Sequence, residues 1–131
     1  HLRETVAPAL AAGKLVVCDR YVYSSLAYQG FARGLGEKFI EEINSVALGN
    51  YPPDMTVFLD ISPADAFKRK HGADKNDRIE QLGLEFHEKV YKGYKALLAK
   101  HPDICAVDCS GTKEETAEKI RNLLKKRDII I

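Results

Sequence analysis

The sequence predicts an α/β fold with a parallel sheet covered on both faces, on three observations. Three short runs, Leu15 to Asp19 (LVVCD), Thr56 to Asp60 (TVFLD) and Ile104 to Asp108 (ICAVD), are continuously apolar rather than alternating. That is the pattern of strands buried on both faces. The stretches between them are long enough for the helical crossovers that parallel strands require. Each run also ends in an aspartate. In open α/β sheets ligands collect at the carboxyl ends of the strands, so Asp19, Asp60 and Asp108 are expected on the functional edge. Asp60 and Asp108 read equally as turn or helix-capping residues.

The helices follow in order. Leu2, Val6 and Leu10 recur at four-residue spacing before Gly13, a stop signal, and Pro8 is expected to kink this helix. A second helix is expected after Ser24 or Ser25. A third places Phe39, Ile40, Ile43, Val46 and Ala47 on one stripe and ends near Gly49, before Pro52-Pro53. Ser62-Pro63-Ala64-Asp65 has the form of an N-cap, a first-turn proline and an acidic capping partner. A long helix follows Asp77, with Ile79, Leu82, Phe86, Val90, Tyr94 and Leu98 inward. The last starts at Ser110 or Thr112, with Glu115 in its first turn and Ala117, Ile120 and Leu124 inward.

Composition narrows the function classes. The 131 residues suffice for one domain, and 45% hydrophobic with 30% charged residues is an ordinary globular balance. Lys and Arg number 20 against 19 Asp and Glu, a formal net charge of +1. That balance argues against nucleic acid or a membrane surface as the partner, so any bound anion must be gripped by a local cluster. Cys18, Cys105 and Cys109 lack metal-site spacing. Cys18 and Cys105, inside apolar runs, read as small buried hydrophobes of a reduced, cytoplasmic protein. No apolar stretch approaches the roughly 20 residues of a membrane helix, and the chain opens His1-Leu2-Arg3-Glu4 without an apolar leader.

The strongest constellation is CDRYVYSSLAYQG, Cys18 to Gly30. Arg20 offers a planar fork suited to phosphate oxygens. Asp19 beside it could hold a magnesium ion through water. Ser25, Tyr28 and Gln29 would present a hydroxyl, an aromatic edge and an amide to a base and sugar. Lys68, Arg69, Lys70, Lys75 and Arg78 cluster between two helices, either a phosphate clamp or a solvated helix end.

These residues resemble the bacterial thymidylate kinase family, which belongs to the nucleoside monophosphate kinases. The matching motifs are Asp19-Arg20-Tyr21, Ser24-Ser25, Ala27-Tyr28-Gln29-Gly30, Ala32-Arg33-Gly34, Tyr51-Pro52-Pro53-Asp54 before TVFLDISP, and Asp77-Arg78-Ile79-Glu80. The resemblance implies an incomplete P-loop-kinase-like three-layer α/β/α fold holding three strands of the sheet, with ATP as donor, thymidine monophosphate (dTMP) as acceptor and Mg2+ as cofactor. It assigns the acceptor phosphate to Arg20 and magnesium support to Asp19. Ser24 and Ser25 fall at substrate-binding positions, with Ser25 at the pyrimidine edge. Tyr28 falls near the sugar, and Gln29 at the base. Arg69 and Arg78 are implied to be catalytic, with Lys70, Lys75 and Asp77 in a phosphate-binding lid. Ser110 and Gly111 fall where related kinases seat the donor adenine. An arginine usual in the family near Ala73 is absent. A homodimer is also implied, with the stripe from Phe39 to Val46 contributing.

No Gly-x-x-x-x-Gly-Lys-Ser/Thr loop, the usual grip on a donor's phosphates, occurs in the sequence. The chain also begins without Met, inside an amphipathic stretch. The expectation is a single-domain fragment over residues 1–131, with a lid at about 68–78, inactive and poorly stable alone. A natural variant that lost the loop is the competing account. The alternative functions are a deoxynucleoside kinase and a nucleotide-binding assembly module without chemistry.

Overall fold

The computed structural model describes residues 1–71 and 78–130, and only the backbone of 70, 71 and 78–82. The chain divides into two compact units, His1–Asp54 and Met55–Ile131.

The first unit is helical. Helix α1 runs as a π-type stretch, Leu2–Val6, continued by an α-type one, Ala7–Ala11. Pro8 falls at the first turn of the α-type stretch. The wider turn before it accommodates its ring and its missing N–H within the continuous helix. Gly13, at φ +69°, ends the helix as expected. Helix α2 begins earlier than its serines suggest, as an α-type turn over Val22–Ser25, and widens to a π-type stretch over Leu26–Ala32. Helix α3 spans Glu37–Leu48 and closes on Gly49 at φ +52°.

Two expectations are corrected here. The run Leu15–Asp19 is not a strand: the sheet of the described residues has two strands, neither of them this run. A strand is a pairing property, and an apolar run without a ladder partner leaves its backbone N–H and C=O groups unpaired. Leu15 is 60% and Val17 86% exposed, and Cys18 is exposed with them. The inward face of α3 also differs from the expected stripe. Of that stripe only Ile40 is buried, while Phe39, Ile43 and Val46 face outward. Glu37, Asn44 and Leu48, at helical spacing from Ile40, are half-buried and complete the inner face.

The second unit is the α/β part. Strands β1 (Thr56–Asp60) and β2 (Ile104–Asp108) pair in parallel, Thr56 opposite Ile104 and Asp60 opposite Asp108. Helices α4 (Pro63–His71) and α5 (Arg78–Lys100) form the crossover, and α6 (Lys113–Lys126) follows β2. Phe58 stacks on Tyr94 with ring centroids 5.1 Å apart, joining β1 to α5. Val90, Leu97, Ile104 and Val107 complete the core. Cys109, just past β2, is the buried cysteine, and its N–H donates to the Asp60 carbonyl at 2.9 Å. Both expected caps are present. The Asp65 N–H donates to Ser62 Oγ at 3.1 Å. Thr112 and Glu115 close a reciprocal capping box at the start of α6. No helix among the described residues is long and apolar enough to cross a membrane.

Candidate functional site

In the first unit the residues expected to bind a ligand lie on one short segment. Arg20 sits at φ +65°, a left-handed conformation uncommon outside glycine. Such strain persists only where surrounding contacts hold it, and it gathers at functional positions. Here the contact is Tyr28: the Arg20 guanidinium lies 4.9 Å from that ring's centroid, and its Nη2 donates to the Tyr28 hydroxyl at 3.1 Å. The left-handed residue just before α2 and the widened part of that helix therefore bring together the fork expected for phosphate and the ring expected near the sugar. Tyr21 anchors the turn by donating its hydroxyl to the Tyr51 carbonyl at 3.0 Å. Burial, and secondarily the neighbouring Cys18, hold its phenol above the ordinary range.

Asp19 is exposed, and its carboxylate makes no hydrogen bond or ion pair among the described residues. A single unengaged carboxylate is a donor set that suits Mg2+, which takes one or two carboxylates beside phosphate and water oxygens. Gln29 is half-buried, with no side-chain hydrogen bond among the described residues. Ser24 is half-buried and Ser25 looks inward. The Ser25 hydroxyl faces the Val22 carbonyl at 2.8 Å and Asn44 Oδ1 at 3.1 Å, and Asn44 Nδ2 donates to the same carbonyl at 3.3 Å. Sequence reading missed Asn44. Its signal was a polar residue at i+4 from buried Ile40.

In the second unit both strand-end carboxylates have partners within the fold. Asp60 accepts from the Tyr91 hydroxyl at 2.8 Å and from Lys95 Nζ at 2.9 Å. The Lys95 hydrogen bond, outweighing partial desolvation, lowers its pKa. A carboxylate depressed on folding contributes stability above its ordinary pKa and loses it as pH falls through the folded value. Melting of the parent and of Asp60→Asn should therefore differ most at neutral pH, with the gap closing as pH falls below about 4. A gap independent of pH would contradict this assignment. Asp108 is held well below the carboxylate range by Lys119 Nζ at 2.7 Å, and then by the Ser110 N–H at 3.0 Å.

Arg69, on the last described turns of α4, donates Nη2 to the carbonyls of Ser110 and Gly111. Two residues expected at the donor base and one expected in the lid thus meet directly. Ser110, Gly111, Glu115, Glu118, Lys119 and Asn122 line a recess of about 370 Å³ beside them. A Cβ at Gly111 would overlap the Glu115 carboxylate, which accepts the Thr112 N–H at 2.7 Å. Gly111→Ala should therefore displace that cap and cost roughly 0.5–1.5 kcal/mol, the worth of one hydrogen bond. Glu115→Ala should cost about the same, and in a double-mutant denaturation cycle the two should not add. Lys75 and Asp77 lie outside the described residues, and so do the side chains of Lys70 and Arg78.

A family model described as thymidylate kinase matches residues 1–120. The chain is 41% identical over 130 residues to the thymidylate kinase of Finegoldia magna, covering 99% of this chain and 64% of that one. It is 44% identical over 128 residues to that of Mesomycoplasma hyopneumoniae, covering 96% and 61%. It is 48% identical over 113 residues to that of Lactobacillus delbrueckii, covering 84% and 53%. The chain spans about three fifths of the length of the first two relatives.

Proposed function

The chain belongs to the thymidylate kinase family, and on that premise we propose that it carries the acceptor side of a site phosphorylating dTMP at the expense of ATP. The reading rests on one observation above the others: Arg20, held in a strained backbone conformation with its guanidinium against Tyr28. A planar fork placed beside an aromatic ring suits a phosphate attached to a sugar.

In the proposed reaction an oxygen of the dTMP phosphate forms a bond to the ATP γ-phosphorus. The bond from that phosphorus to the bridging oxygen breaks, and ADP leaves with the electron pair. Such transfer depends chiefly on positioning and on neutralising charge. Arg20 orients and neutralises the acceptor phosphate. Ser24, Ser25 and Gln29 line the base side, and Tyr28 stands at the sugar. Asp19 would hold Mg2+ through water, and the ion, when bound, supplies positive charge beside the transferring phosphate.

We assign Arg69 and Arg78 to catalysis by the family resemblance, with Arg69 bound to the Ser110 and Gly111 carbonyls. We assign Lys70, Lys75 and Asp77 to a phosphate-binding lid at about 68–78, and Ser110 and Gly111 to the donor base, on the family resemblance. Residues 1–131 act as one acceptor-binding domain. They contain no glycine-rich phosphate loop, so they are not expected to turn over ATP unaided. We place the protein in the cytoplasm as a homodimer that uses the outward face of α3 (Phe39, Ile43, Val46), and assign it no nucleic-acid or membrane partner.

A coupled ADP-release assay on the full-length protein tests this. Turnover should depend on dTMP and reach the 1–100 s⁻¹ typical of kinases, to order of magnitude. Turnover with thymidine but not dTMP would instead support a deoxynucleoside kinase.

A further inference from the structure

The widened part of α2 carries Tyr28 and Gln29. A π-type stretch is uncommon and is held by its surroundings rather than by local preference. Its surroundings are visible at both ends. At the far end, the N–H groups of Leu35 and Gly36 donate to the carbonyls of Gln29 and Gly30, each at 3.1 Å. At the near end, where α-type geometry gives way at Leu26, the Val22 carbonyl accepts the Leu26 N–H. Asn44 Nδ2 reaches the same carbonyl from α3, and Asn44 Oδ1 lies 3.1 Å from Ser25 Oγ. The side chain of Asn44 thus spans the junction with a donor on one residue and an acceptor on another.

The Ser25 hydroxyl has one proton, and both its neighbours, the Val22 carbonyl and Asn44 Oδ1, are acceptors. Whichever takes the proton, it points into the fold. What Ser25 can offer outward is a lone pair. Its orientation therefore depends on where Asn44 holds the turn.

We propose that Asn44 is a positioning residue for the acceptor site. From α3 it fixes the α-to-π junction of α2, and with it the direction of the Ser25 hydroxyl and the rotation of Tyr28 and Gln29 about the helix axis. Without it the junction can shift toward regular α-helix, which turns those side chains away from a common ligand. The inference rests on the acceptor-site reading given above. It adds a residue that touches no ligand.

The test is calorimetric titration of the full-length protein with dTMP and, separately, with a non-hydrolysable ATP analogue. Asn44→Asp keeps shape and acceptor but loses the donor to Val22. Asn44→Ala loses both. Removing one or two hydrogen bonds of ordinary strength corresponds to a roughly tenfold weaker dTMP affinity. The ATP analogue should bind within about twofold of the parent, because the hydrogen bonds of Asn44 go to Ser25 and Val22, both on the acceptor segment. Ser25→Ala combined with Asn44→Ala should weaken dTMP binding by less than the product of the two single effects.

Parent-like dTMP affinity in Asn44→Asp and Asn44→Ala would overturn the proposal. So would an equal loss for both ligands, which marks a general structural role. If the unsubstituted protein fails to bind dTMP, the acceptor-site reading itself falls, and this inference with it.

Discussion

Arg20→Ala is expected to lower kcat/KM for dTMP by about two to three orders of magnitude in the full-length protein. Hydrogen bonds to charged groups contribute roughly 1.5–3 kcal/mol each, and a guanidinium can make two to one phosphate. Part of that is discounted because Arg20 is exposed. Arg20→Lys should recover only part of the loss, since an ammonium is a point charge rather than a fork. The backbone supplies an independent control. Residue 20 sits at φ +65°, where glycine is relaxed and other residues are strained. Arg20→Gly should therefore be as impaired as Arg20→Ala yet more stable than it, by about 1 kcal/mol. Steady-state kinetics beside thermal melts separate the two effects. Loss of activity that tracked loss of stability across the three variants would contradict the assigned role.

The largest effect on stability is expected at Leu97. It is 0% exposed, the one large side chain fully buried among the described residues. Leu97→Ala removes its contacts in the second unit and leaves a cavity, at a cost of roughly 2–5 kcal/mol. Val46, 87% exposed on α3, is the matched comparison. Val46→Ser should change the stability of the separated chain by no more than about 0.5 kcal/mol. Urea denaturation should show a lower midpoint for Leu97→Ala with an unchanged slope, the sign of lost stability rather than an altered unfolded state. A midpoint shift no larger than that of Val46→Ser would place the core elsewhere.

The features legible in the sequence were those written in local chemistry. Ser62 with Asp65, and Thr112 with Glu115, announce helix starts because the side chains bond backbone groups three residues away. Gly13 and Gly49 mark stops because the positive φ they adopt is costly for other residues. The paired runs TVFLD and ICAVD were readable as strands, down to their terminal aspartates. Leu15–Asp19 has the same composition, but pairing is a long-range property that composition does not contain.

The inner face of α3 was missed for a related reason. The helix carries an apolar row through Phe39, Ile43 and Val46 and a mixed row through Ile40, Asn44 and Leu48, and only tertiary contact selects the second. In the candidate site, the Asp19-Arg20-Tyr21 run and Tyr28 were visible as a motif. The strained backbone at Arg20, the widened turn after Ser25 and the tie from Asn44 were not, because each depends on specific hydrogen bonds, six to twenty-two residues apart, that residue type and spacing do not specify. Arg69 was read as a lid residue. Its bonds to the Ser110 and Gly111 carbonyls give it a holding role that charge pattern alone does not reveal.

Arg20 and the turn around it are proposed to recognise a nucleoside through its phosphate. The most direct measurement is equilibrium titration of the full-length protein with dTMP and with thymidine under identical conditions. Saturable dTMP binding is expected, with thymidine bound at least about a hundredfold more weakly, the worth of a charged fork on a phosphate. Thymidine binding as tightly as dTMP would contradict it.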